Sequence, residues 1–457
     1  MAPAWAPCVK DTVNKDAEGA GSKARITHAE ELIFPDFGIR IPVFAKEADK
    51  AYWLQKVASD FARACIHGEF LSYKGQHGQN LVFSNASYQG TPANDIWTSN
   101  CMHPDVSHRG FGTESADEAA PGNGMDFPSI SIAASPDSWS FQHFQDRMTH
   151  IILQGKHLTH ADTTYITGKE PASTVVSALW EKLVPGAKKR VLHTSAQRWP
   201  IRAKELLFSC RAPLIHPWFA HKLAEEVGVV KWQKPLTDRK VVLYCSRARD
   251  KGGKMQNGGR QFTNDDDVIT ALKTLLTIRD QEERLEVYDI NKWKDSFDSM
   301  VQYFASNVRA IIGPHGGALV NLNWAPKDTA VIEVMPSNFF SLALYEQASV
   351  LGQTYGFMQS PSVNSRNDMT VDIPELMGLV DLSLGKERDG ASWFEMLHLM
   401  RMPRQHPYAC LVLVLHLLRD STIKLRVCPA ILAYTESVEG GAGVDTRVTV
   451  LISERER

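Results

Sequence analysis

No Cys-x-x-Cys pair occurs anywhere in the chain. The seven cysteines, Cys8, Cys65, Cys101, Cys210, Cys245, Cys410 and Cys428, stand far apart, which excludes a zinc knuckle or a thioredoxin-like centre. An odd number leaves at least one thiol free, and spacing alone pairs none of the others. Long hydrophobic runs are missing too. The longest, from Ala409 to Leu418, is broken by His416 and falls far short of the ~20 residues of a membrane-spanning helix. The N-terminal stretch offers no apolar run of signal-peptide length, so the expectation is a soluble chain with no leader or anchor in view. Charge of one sign is lacking: 50 Lys and Arg against 52 Asp and Glu give a net charge of -2. No global field favours nucleic acid. The one N-glycosylation sequon, Asn85-Ala86-Ser87, is expected by chance and decides no compartment.

What is present is an ordinary globular composition, with 43% hydrophobic and 22% charged residues over 457 positions, enough for roughly three compact units. Residues 1–28 are polar and expected to be disordered. Residues 29–235 read as a mixed α/β unit with an interdomain segment. Residues 236–385 are clearer. Val241–Cys245, Leu285–Ile290, Val308–Ile312, Thr329–Val334 and Tyr355–Met358 read as strands, and Asp265–Ile278, Ser296–Ser306 and Leu342–Leu351 as helices between them. Such alternation predicts a doubly wound parallel sheet. Residues 386–457 lose the pattern and read as an irregular tail or as faulty gene-model sequence.

The strongest constellation is Val308–Asn321, VRAIIGPHGGALVN. A buried strand runs into Gly313-Pro314-His315-Gly316-Gly317 and then a helix start. Glycines let backbone N–H groups approach a ligand, and a helix N-terminus favours an anion. His315 adds a donor that gains charge on protonation. Alone, the same loop reads equally as a tight strand–helix turn with a capping histidine. The oxyanion loop of an α/β-hydrolase is excluded, because no G-x-S-x-G elbow exists in the chain.

A second constellation is Ser246-Arg247 at the end of VVLYC, with Arg260 after a Gly- and Lys-rich loop. Guanidinium forks match phosphate oxygens; a solvated basic loop is the bland alternative. Asp265-Asp266-Asp267 has metal-type D-x-D spacing, yet a helix start explains three acids there fully, so no metal is expected. In the N-terminal half, His143 and Asp146 fall on one helical face. The pair reads either as a general base for a hydroxyl or as a structural pair. His157 and His160 lack a third ligand and read as surface residues. Glu333, ending TAVIEV, is a candidate acceptor for ribose hydroxyls.

In this order the segments resemble family 61 glycosyltransferases. The family pattern is S-R, then R, then G-x-H-G-A-G-L-x-N, then V-I-E; here Gly317-Ala318 stands where Ala-Gly is usual. SFQHFQDR resembles the family's His/Asp helix, and LLFSCRAPLIHPWF its interdomain segment. The resemblance covers about residues 138–360. It implies a GT-B-like fold of two Rossmann-like domains facing a cleft. It also implies inverting transfer from a UDP-sugar, N-acetylglucosamine or xylose above all, to a glycan or glycoprotein in the ER or Golgi lumen, with no obligatory metal and no further cofactor. Ser246, Arg247, Arg260, His315, Gly316, Gly317 and Glu333 are then the donor-binding candidates, and His143 and Asp146 the catalytic ones. A catalytically inactive nucleotide- or glycan-binding member of the same fold is the alternative; UDP-sugar hydrolysis without acceptor would separate the two.

Overall fold

A computed structural model describes residues 5–11, 25–60, 64–88, 114–115, 125–133, 139–193, 201–248, 259–293 and 296–385. The expected tail (386–457), most of the stretch expected to be disordered (1–28), much of the loop following Gly110 and the basic loop at 249–258 lie outside the described residues. Within residues 1–28, Cys8–Asp11 is a strand, paired antiparallel with Arg25–Ile33. Its backbone groups find partners on a sheet edge, which overrides the polar composition. Among the described residues no helix is long and apolar enough to cross a membrane.

The protein is α/β, built on two main sheets. The C-terminal sheet has five parallel strands in the order Arg284–Val287, Val241–Tyr244, Val308–Pro314, Ala330–Pro336, Thr354–Ser360. Taken in chain order these are the second, first, third, fourth and fifth strands. Val308–Pro314 and Ala330–Pro336 are buried at every position, as expected of central parallel strands covered on both faces. Helix Asp265–Arg279 turns Val268, Ile269, Leu272 and Leu276 inward, as its spacing predicts. The connection changes direction between Val241–Tyr244 and Val308–Pro314. Ligands of open α/β sheets bind at such a switch point, outside the C-terminal ends of the strands.

The N-terminal sheet is mixed. Met125–Ile132, Thr164–Thr167, Val191–His193 and Ile201–Cys210 form its parallel half. The antiparallel strands His77–Tyr88, Arg25–Ile33 and Cys8–Asp11 extend it. The parallel half carries the Rossmann-like character expected of this unit.

Residues 41–60, expected with the N-terminal unit, pack on the outer strand of the C-terminal sheet. Val43 bridges Gly356 in parallel, donating to Tyr355 O and accepting from Phe357 N. Phe44, Tyr52 and Trp53 then meet Phe357, Phe340 and Tyr345 ring to ring. Aromatic burial at this seam outweighs chain proximity.

Two carboxyls stand at the seam, Asp49 buried with one oxygen unpaired and Glu346 half-buried beside Tyr73. Burial, with the neighbouring Glu375 adding to it and Lys46 opposing, pushes Asp49 up to about 7. Burial also pushes Glu346 up to about 7 against the hydrogen bond from Tyr73. Each group keeps its proton in the fold where an unfolded carboxyl, near 4, has lost it. Stability is therefore lost as pH rises through the interval between those values. The melting temperature is expected to fall between about pH 4 and about pH 7, and Glu346→Gln to flatten that slope. A slope that rises over this range in wild type would contradict the assignment.

Candidate active site

Strand Val308–Pro314 ends where His315 N donates to Val334 O at 3.0 Å, which locks the loop to the neighbouring strand. The chain then enters Gly317–Trp324, a 3-10 helix, at the expected helix start. Gly316 is extended, with φ 164° and ψ 174°. A β-carbon there would run into the guanidinium of Arg247, whereas one at Gly317 would meet nothing within 4 Å. The first glycine is therefore required by a close approach and the second is not. Arg247, just past the end of Val241–Tyr244, is held from behind by its Nε donating to Gly259 O at 2.7 Å. Two loops from the two sides of the switch point thus meet at Gly316.

Arg260 joins them from a backbone in the left-handed region, φ 60°, fixed by its N–H donating to Arg366 O at 3.0 Å. Its guanidinium lies 6.0 Å from the ring centroid of Phe339. The same ring stands 4.8 Å from His315, tilted by 46°. Burial holds Arg260 below the usual arginine range, with the charge of Glu333 opposing. Partial desolvation makes such a cation attract an anion more strongly than it would in water. Arg247, Arg260 and His315 converge at Gly316 as one half-buried cluster at the strand ends, in which the two guanidiniums are the fixed positive charges.

Glu333 is fully buried in the strand beside His315. His315 Nδ1 contacts one of its oxygens and the Tyr355 hydroxyl donates to the other. Burial, followed by the Glu333 charge, pushes the Tyr355 phenol well above its ordinary value. Glu333, the candidate acceptor for ribose hydroxyls, thus has one protein partner on each carboxylate oxygen. Ser246 is likewise turned inward: its hydroxyl donates to Asp265 Oδ1 at 2.8 Å, beside the Tyr244 hydroxyl at 2.6 Å. Asp265 is buried while Asp266 and Asp267 are exposed, so the three acids point apart.

The segment SFQHFQDR forms a short helical turn, Phe141–His143, continuing into a π-helical turn, Phe144–Met148. π-turns within helices are frequent at functional sites. His143 Nδ1 and Asp146 Oδ2 are 3.5 Å apart, and neither His143 Nδ1 nor Asp146 Oδ1 has a hydrogen-bond partner although both atoms are buried. The turn docks directly on the 3-10 helix that follows His315. Asn323 Nδ2 donates to Gln145 Oε1 at 2.7 Å in a buried contact, and Phe141 packs on Trp324. His157 and His160 do not converge on each other; they pair with Glu30 at 2.6 Å and Glu205 at 3.2 Å.

Sequence reasoning missed Tyr355, Phe339 and the Gln145–Asn323 bond. Only Phe339 had a local signal, as an aromatic in the loop after a strand end.

No curated protein matches the chain. Residues 125–332 match the family model Glycosyltransferase 61. That span takes in the His143–Asp146 turn and the cationic cluster and stops one residue before Glu333. With its cationic cluster at the switch point of a parallel sheet, the chain carries a glycosyltransferase family 61 domain and is a glycosyltransferase.

Proposed function

We propose that the protein transfers a sugar, N-acetylglucosamine or xylose, from its UDP conjugate to a hydroxyl of a glycan or glycoprotein, with inversion. The observation that carries this reading is the convergence of Arg247, Arg260 and His315 at Gly316, at the switch point of the parallel sheet. Such a cluster fits a diphosphate, by guanidinium forks and by donors at a helix start. In the reaction the acceptor oxygen bonds to the anomeric carbon on the face opposite the diphosphate. The bond from that carbon to the phosphate oxygen breaks, and its electron pair leaves with UDP. The acceptor proton passes to a base, for which Asp146 and His143 are the candidates. Charge developing on the leaving oxygen is met by Arg247, Arg260 and His315.

Because these groups supply the positive charge, transfer is proposed to need no metal and no further cofactor. The orientation of Asp265 toward Tyr244 and Ser246 supports this, since it withdraws one acid of the D-x-D run from any cation site. Cys210 is disulfide-bonded, which supports an oxidising compartment such as the ER or Golgi lumen.

The test is thermal stabilisation against a panel of nucleotide sugars, with and without EDTA. A UDP-sugar at a hundredfold excess over its Kd is expected to add about 2.7 kcal/mol of stability, with EDTA making no difference. Stabilisation by a GDP- or CMP-sugar alone would overturn the donor assignment. Manganese-dependent stabilisation would overturn metal independence.

A further inference from the structure

We propose that Glu333 is a positioning residue that makes His315 bind the donor diphosphate as an imidazolium, so that nucleotide binding takes up a proton. The inference rests on the UDP-sugar reading above. It starts from the hydrogen-bond inventory of one fully buried carboxylate. Glu333 has Nδ1 of His315 on one oxygen and the hydroxyl of Tyr355 on the other. A carboxylate accepts, so the Nδ1 proton is fixed on its inner side and the ring cannot turn over. His315 Nε2 then has no partner among the described residues.

The tautomer has a chemical consequence. With the proton held on Nδ1, neutral imidazole offers only a lone pair at Nε2. A diphosphate oxygen is also an acceptor, and two acceptors repel. His315 serves the ligand only when Nε2 carries a second proton. The charged groups around the ring are Glu333, in contact with it, Arg260, which shares the Phe339 ring with it, and Arg247, which reaches the adjacent Gly316; Tyr355 reaches it through Glu333. An incoming diphosphate outweighs the two arginines locally and draws the proton in. Glu333 thereby acts on the leaving group through His315, without touching the donor.

The experiment is calorimetric titration of UDP into the full chain at about pH 8, where free imidazoles are neutral and the nucleotide's own phosphate is fully ionised. It is repeated in buffers of different ionisation enthalpy, which reports the protons exchanged. Wild type is expected to take up most of one proton per UDP, and Glu333→Gln close to none with affinity at least tenfold weaker. His315→Gln should also abolish uptake, and it decides the matter if the buried Glu333 variant does not fold. Binding without uptake in wild type, or undiminished uptake in Glu333→Gln or His315→Gln, overturns the proposal while leaving the UDP reading intact. Failure of UDP to bind wild type at all overturns that reading instead.

Discussion

Replacing Arg247 or His315 by alanine is expected to lower turnover with a UDP-sugar about a hundredfold, close to 3 kcal/mol of transition-state stabilisation. Both side chains are proposed to meet the leaving diphosphate, whose charge is greatest as the bond breaks, so the loss should fall on kcat more than on KM. Neither removal empties the hydrophobic core, since both residues are only half-buried at a loop, and circular dichroism should be unchanged. Arg247→Lys should recover only part of the activity. An ammonium cannot keep the bond to Gly259 O and also present two parallel donors. If both alanine variants turn over like wild type, the donor lies elsewhere and the cluster at the switch point has another use.

A second large effect is expected from a single methyl group. Gly316→Ala places a β-carbon where the Arg247 guanidinium lies, and the side chain must move aside. Displacement of a catalytic group by ~1 Å costs about a hundredfold in rate, so Gly316→Ala should approach the turnover of Arg247→Ala. Gly317→Ala adds the same methyl group next door, where nothing lies within 4 Å. It should stay within about twofold of wild type. The backbone at Gly316 is extended and needs no glycine for its φ, which makes the contrast a test of the close approach alone. Equal activities for the two variants would show that Arg247 does not work from this position.

The C-terminal sheet was legible because its signals are local. Val241–Tyr244, Val308–Pro314 and Ala330–Pro336 are apolar runs of strand length, and Asp265–Arg279 repeats its apolar residues at helical spacing. The cationic cluster was legible for a related reason: His315 and Arg247 follow directly on strand ends, so the strand order alone brings them together. The N-terminal sheet was less readable because its pairings are distant. His77–Tyr88 lies antiparallel to Ile201–Cys210, and neither run contains information about the other. Tyr355 was invisible for a subtler reason. Its reach to Glu333 depends on register, since Glu333 lies opposite Phe357, two residues further along the same strand. The inward turn of Ser246 was equally hidden, because its partner Asp265 looked like one of three equivalent helix-start acids.

The seam formed by Phe44, Tyr52 and Trp53 has a consequence for how the chain is made. These aromatics leave the ribosome early, yet their partners Phe340, Tyr345 and Phe357 follow almost three hundred residues later. At ~5–20 residues per second, the interval is on the order of tens of seconds. Through that time an apolar segment waits uncovered beside a nascent sheet, an invitation to aggregation that a holding chaperone would relieve. The outer strand of the C-terminal sheet is left open in turn if the early segment is lost. A genetic cut that removes residues 1–60 would take Val43 from that strand and leave Tyr355 O and Phe357 N without these partners. The N-terminal segment is thus a late-sealing clasp, and the donor-binding half should not be soluble without it.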